Sequence, residues 1–296
     1  WHALYDSIRG PYLELNSNEP SADRDRSSAD GIRSFDSDGF TSGLDDNTGG
    51  RSGDGYVAWC WKAGGSAVPN TSGSVTSQVS VNQDAGFSIV SYTGSSIAIT
   101  VGHGLGKKPN MILFKNRDQA DKWAVYHSSM GATKFLSLNE ATAATTSSSY
   151  FSNTEPTSSV FTVNQTGPVN QNNEKYIAYC WSEIEGYSKF GSYVGNASAD
   201  GTFVYCGFKP AFVITKRTDG TSNWLIHDSS RDSVNPVMGN LYANEPDVEG
   251  RGSARVDFVS NGFKHKNADG GAANNYANDY IFIAFAESPF QTANAK

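Results

Sequence analysis

The sequence predicts an all-β protein built of tandem antiparallel β-sandwich, jelly-roll-like modules of about 100 residues each. Three observations lead there. Apolar runs are only four to seven residues long, bounded by Gly, Asn, Asp or Pro, and they alternate, as in Ile97, Ile99 and Val101 or Met111, Leu113 and Lys115. A 3.6-residue period is nearly absent outside short turns such as SSRDSVNP. Finally, one stretch is written twice: Tyr92 and Tyr193, Gly94 and Gly195, Pro109 and Pro210, Lys115 and Lys216, and Trp123 and Trp224 all lie 101 positions apart.

The segments follow in chain order. Residues 1–65 read as the C-terminal half of a first module, because WHALYDSIRG, LELNSN, SFDSDGFTSG and YVAWCW repeat the order found later in the chain. Residues 66–85, rich in Ser, Thr and Val, read as a linker, extended and surface-bound. A second module spans 86–187, with WAVYHSSMG, KFLSLN, VFTV and YIAYCW in its second half. A third module, with a C-terminal tail, spans 188–296 and answers with WLIHDSSRD, GNLYAN, FVSNGFK and YIFIAF.

YVAWCW and its two counterparts are apolar on both faces, as a central strand is. The bulky set (Val57, Trp59, Trp61; Ile177, Tyr179, Trp181; Ile281, Ile283, Phe285) is expected to fill the sandwich. The small set (Ala58, Cys60; Ala178, Cys180; Phe282, Ala284) is expected to let a loop, a neighbouring module or a partner chain come close. Cys60 and Cys180 share one seat with Ala284, and Cys206 aligns with Leu105, so the cysteines read as packing residues and no disulfide is predicted.

A net charge of −7 with no Lys/Arg run longer than two lacks the footprint of a nucleic-acid or anionic-membrane binder. No apolar run approaches the ~18 residues that span a bilayer. A first residue of Trp rather than Met fits a fragment, a processed product or the ordered part of something longer.

No catalytic, cofactor or metal site is predicted. HDSSRDS (227–233) holds His, Asp and Ser side by side, but neighbours on a strand point to opposite faces, and its counterparts are Tyr5, Asp6, Ser7 and Tyr126, His127, Ser128. A turn with local Asx and Ser bonds is the reading. DSDG (36–39) and DDNTGGRSGDG (45–55) read as turns, with a structural calcium the alternative. HGLGKKP (103–109) lacks the order of a phosphate-binding loop. Asn70, Asn164 and Asn196 occupy N-x-S/T sequons. Aromatics at 12% among Asn, Asp and Gly permit a lectin-like site without placing one.

KFGSYVGN, DGTFVYCGFKPAFVITKR, NWLIHDSSRD, VDFVSNGFK and the ending YIFIAFAESPFQTANAK resemble the C-terminal tandem modules of large bacteriophage virion proteins of the tail-fibre or tail-appendage kind, often downstream of SPRY-like or laminin-G-like domains. The resemblance implies an extracellular, virion-borne, non-enzymatic structural protein. Its expected partners are other virion or fibre subunits, as a homo-oligomer, and host-surface polysaccharide, with no nucleic acid and no membrane insertion. Capsid decoration or a purely structural self-assembling fibre is the alternative, and a depolymerase ranks last because no carboxylate pair recurs. The half-module would expose sheet edges, covered either by upstream residues of the same chain or by strands from a neighbouring subunit.

Overall fold

Strands make up almost all regular structure in the computed structural model, which describes residues 1–28, 31–266, 273–275 and 277–288, with only the backbone at 252–254. The predicted tail beyond 288 lies outside the described residues. Near the N-terminus β1 (Ala3–Asp6), β2 (Gly10–Asn16) and β3 (Arg24–Asp25) form an antiparallel sheet in that order, and β4 (Ile32–Phe35) makes a hairpin with β5 (Phe40–Ser42). The β1–β2 turn closes because Asp6 accepts the Ile8 and Arg9 amides, each at 2.9 Å, and Gly10 takes a φ of +90°.

The next stretch contains β6 (Val68–Asn70), β7 (Ser77–Asn82), β8 (Phe87–Thr93), β9 (Ile99–Gly102), β10 (Met111–Asn116), β11 (Ala124–His127), β12 (Lys134–Ser137), β13 (Thr145–Thr146), the helical turn α1 (Ser148–Phe151), β14 (Val160–Val163), the helical turn α2 (Gly167–Asn170) and β15 (Lys175–Trp181). Eight of these strands form one sheet in the order β13-β12-β11-β10-β15-β8-β7-β6, and β9 pairs with β14 above it. Segment 66–85 is therefore not a bare linker, for it carries β6 and β7. Its polar residues pack: Ser77 and Ser80 are buried, and their hydroxyls donate to the Gly102 and Gly65 carbonyls at 2.8 Å. Pro69 is tolerated because β6 lies at the sheet edge.

The last stretch contains β16 (Ser188–Val194), β17 (Phe203–Tyr205), β18 (Pro210–Arg217), β19 (Leu225–Asp228), β20 (Val237–Tyr242), β21 (Gly250–Val259), β22 (Gly262–His265) and β23 (Asp279–Ala286). They form one eight-stranded sheet, β16-β23-β18-β19-β20-β21-β22-β17. Tyr193 near one end and Val204 at the other enter the same core cluster, so the sheet curls toward itself. The protein is thus an all-β fold of several antiparallel sheets. The run β16-β23-β18-β19-β20 repeats the order β8-β15-β10-β11-β12.

The two faces of the central strands are used in the reverse of the expected way. The small set on β15, Ala178 and Cys180, lies under the β9–β14 layer with Val101, Phe161 and Val163. The bulky set, Ile177, Tyr179 and Trp181, enters a common core with Ile281, Ile283 and Phe285 of β23, Trp59, Trp61 and Leu15. The covering layer brings its own large rings, so small residues beneath it leave the needed volume. Trp61 lies edge-on to Trp181, Phe212 and Phe285, with centroids 5.5–6.1 Å apart, so the three counterpart positions of YVAWCW meet in one aromatic cluster.

Recurring joints tie the stretches together. The Trp123 and Trp224 amides are capped by the Asn139 and Asn244 side chains at 2.9 and 2.7 Å, as His2 is by Asn18 at 3.1 Å. Each ring then reaches into another stretch. Trp123 Nε1 donates to the Asn16 carbonyl and Trp224 Nε1 to that of Ser137, both at 2.9 Å, and His2 Nε2 meets the Glu245 carbonyl at 2.9 Å. The contacts therefore run from the second stretch to the first, from the third to the second, and from the first back to the third.

Candidate functional site

Residues 56–61, expected as a central strand, do not form one. The segment is extended and alternates, with Val57, Trp59 and Trp61 turned inward and Tyr56, Ala58 and Cys60 exposed. Among the described residues its backbone makes no hydrogen bond. Nearby carbonyls at Lys62 and Gly65 accept only from the Asn82 and Ser80 side chains. The physical reason is local: β15 is laddered on both sides, by β8 and β10, and β23 by β16 and β18, whereas among the described residues no strand lies beside 56–61. What holds the segment is its inward face. Trp59 sits 5.2 Å from Phe212 and under the Arg231 guanidinium, with Trp61 in the common core.

The outward face is open where its counterparts are closed. Tyr56 is 45% exposed, while Tyr176 and Tyr280 are buried and stacked on Tyr92 and Tyr193. Phe40 of β5 is 38% exposed, while Phe161 and Phe263 are buried. All three cysteines are free, with Cys180 and Cys206 buried and Cys60 exposed. Burial pushes the Cys206 thiol up to about 12 and raises that of Cys180 further. Under native conditions a thiol reagent is therefore expected to label one cysteine, Cys60, with the other two reacting only after denaturation. Mass spectrometry of the labelled peptides checks this.

The residues singled out in the sequence take structural places. In HDSSRDS, Asp228 accepts the Ser230 and Arg231 amides at 3.0 and 2.9 Å and pairs with Arg231 Nε at 2.6 Å. The turn copies that of Asp6 and Arg9. In the middle copy His127 Nδ1 takes the acceptor role for Ser129, leaving Nε2 to face the Phe282 carbonyl at 3.3 Å. DSDG is the β4–β5 hairpin turn, with both Asp36 oxygens bonded by the Ser34 and Thr41 hydroxyls. In 45–55 the carboxylates of Asp46 and Asp54 pair with Arg51, and Asp45 with Arg26. Among the described residues no group of three or more His, Cys, Asp or Glu could hold a metal. HGLGKKP turns between β9 and β10, with Gly104 and Gly106 at positive φ and His103 buried against the Thr157 carbonyl. The sequon residue Asn196 is exposed, while Asn70 and Asn164 are half-buried. Among the described residues no helix is long and apolar enough to cross a membrane.

Sequence reasoning missed several residues that hold the stretches together. Arg9 and Asp6 form a buried pair, and the Tyr179 hydroxyl donates to Asp6 at 2.7 Å. Asp23 bridges Arg9 and Arg117 at 3.0 and 2.8 Å. Lys115 and Lys216 are fully buried, their ammonium groups bonded to backbone carbonyls, and burial draws both down to about 8. Lys216 also reaches the Ala141 carbonyl at 3.1 Å, across a joint. The signal was present for Asn139 and Asn244, which close LSLN and LYAN, and for the paired DSIR and DSSR turns.

The chain belongs to the family described as a domain of unknown function (DUF7483), whose match covers residues 1–289. Neither a curated protein nor a solved structure matches it.

Proposed function

We propose that the chain consists of three like-built β-sandwich units, the first incomplete, packed about a shared aromatic core. We further propose that it serves as a non-enzymatic part of a bacteriophage virion appendage that contacts host-surface polysaccharide. The unit reading is supported by the repeated strand order, the Trp61–Trp181–Phe285 meeting point and the cyclic His2, Trp123 and Trp224 joints. Asp6 and His127 are engaged between those units, with the Tyr179 hydroxyl and the Phe282 carbonyl, while Asp228 holds a local turn with Arg231.

The observation that carries the binding role is a pair of rings on one face of β17. Phe203 and Tyr205, at positions i and i+2, are 45% and 63% exposed on a strand at the end of its sheet. They lie against glycines: a Cβ on Gly262 would meet the Phe203 ring at 3.1 Å, and one on Gly207 the Tyr205 ring at 3.6–3.9 Å. Flat, solvent-facing rings beside Asn261 and Lys264 supply the apolar platform and polar fringe that a pyranose needs. Single contacts of this kind are weak, and several copies on one particle raise the effective affinity.

The test is a glycan array together with adsorption of the soluble protein to host cells. Binding is expected in the high-micromolar range, and Tyr205→Ala should weaken it about tenfold, the loss of ~1–2 kcal/mol expected for one stacking ring. Binding that Tyr205→Ala and Phe203→Ala both leave unchanged would overturn the assignment.

A further inference from the structure

We propose that residues 56–61 form an open acceptor strand for a polypeptide that brings two antiparallel strands, one between this segment and β1 and one along its far edge. The inference uses the three-unit reading and is independent of the virion reading, so failure of host binding leaves it untouched.

The counterparts define what is missing. β15 lies between β8 and β10, and β10 in turn pairs with β11; β23 lies between β16 and β18, and β18 pairs with β19. β1 holds the place of β11 and β19, ending in the same Asp6, His127 or Asp228 turn and capped by the same Asn bond. Among the described residues β1 pairs only with β2, leaving one edge open. The 56–61 backbone has both edges open. Its inward side chains already sit in the common core, to which β8 and β10 give Phe87, Ile89, Met111 and Leu113 and to which β16 and β18 give Phe190 and Phe212. Incoming strands would continue that same interface and bury residues that are exposed here and covered in the counterparts, Tyr56, Ala58, Cys60 and Phe40 among them.

The occupant is thereby specified: a segment with apolar residues on both faces, of the kind written FSIVSYT and MILFKN, docking by strand addition. Among the described residues a second copy has no such pair to spare, because β8, β10 and β18 are paired on both edges within their own sheets and β16 is bound to β23. The donor therefore comes from polypeptide outside these residues.

A synthetic peptide with the sequence of residues 86–117 serves as the donor, mixed with the 1–296 chain. Alone, the amides of 57–61 should exchange at nearly unstructured rates and Cys60 should alkylate like a free thiol. Saturating peptide should slow both by at least roughly tenfold. Ala58→Pro supplies the control: Ala58 is exposed and its backbone makes no hydrogen bond, so the urea midpoint should hold, while a proline within a central ladder abolishes the protection. The proposal is overturned if 57–61 is already protected in the isolated chain, or if peptide at millimolar concentration protects nothing. Protection that survives Ala58→Pro would also overturn it, as would self-association of 1–296 that shields Cys60, which would make a second copy the occupant.

Discussion

Asp6→Ala is expected to destabilise the folded chain by about 3–5 kcal/mol, among the largest effects of any single polar substitution. Burial alone would raise the Asp6 carboxyl, yet the Arg9 guanidinium, the Arg9 amide and the Tyr179 hydroxyl hold it below the usual carboxylate range. Both side chains of the pair are essentially inaccessible, so removing the anion leaves a buried cation whose remaining ion-pair partner among the described residues is Asp23, at 3.0 Å, beside the Leu4 and Leu13 carbonyls. The Tyr179 hydroxyl loses its acceptor at the same time. Because Asp6 and Arg9 precede β2 while Tyr179 lies on β15, the loss falls on a joint between stretches rather than within one sheet. Asp228→Ala removes the matching turn but should cost less, about 1–3 kcal/mol, since Arg231 retains Glu249 and lies nearer solvent. Urea unfolding of Asp6→Ala, Tyr179→Phe and the double variant checks this, and the double variant should cost less than the sum of the singles.

The second large effect is acid unfolding driven by histidine. Burial lowers His103 and His127 to about 4 and His265 to about 3, from an ordinary value of 6.5. Each stays neutral in the folded chain while the unfolded chain takes up a proton below pH 6.5, so stability falls as pH falls from about 6.5 toward 4. Each such group contributes a slope of about 1.4 kcal/mol per pH unit, and three together about 4 kcal/mol per pH unit near pH 5. Acidification from pH 7 to 5 would thus remove about 6 kcal/mol, comparable with the whole stability of many domains. The carboxylate of Asp6, whose folded value is depressed, adds its own loss only at lower pH. Urea midpoints at pH 7, 6 and 5 and proton uptake on unfolding provide the check. His127→Gln should flatten the slope by about one third, because one of the three protons is gone.

Much of this was legible in the sequence, for identifiable reasons. Period-two alternation marked most strands, and the constant spacing of Trp123 and Trp224 or Lys115 and Lys216 marked positions that are buried alike. The turn reading of HDSSRDS followed from strand geometry and from the changed residues at its counterpart positions. What failed depended on neighbours distant in sequence. β7 was hidden because its core positions include Ser77 and Ser80, whose burial is made acceptable by carbonyls of Gly102 and Gly65. Which side of β15 meets the common core could not be read from residue size, since Cys180 is small only because Phe161 and its layer are large. Residues 56–61 carry every mark of a central strand, and strand formation there fails for want of partners, which no local pattern records. The Phe203–Tyr205 pair was invisible for a similar reason: exposed and core aromatics are written with the same letters.

The return contact from His2 to the Glu245 carbonyl has a consequence for how such a chain can evolve. In an open solenoid, duplication of one repeat adds a single interface and leaves the others intact. On the three-unit reading proposed above, His2 and Glu245 already join the ends of the series, so inserting a further copy would force apart a seam that is satisfied. On that reading lengthening by recombination would be penalised, and the repeat number would be set by geometry instead of drifting.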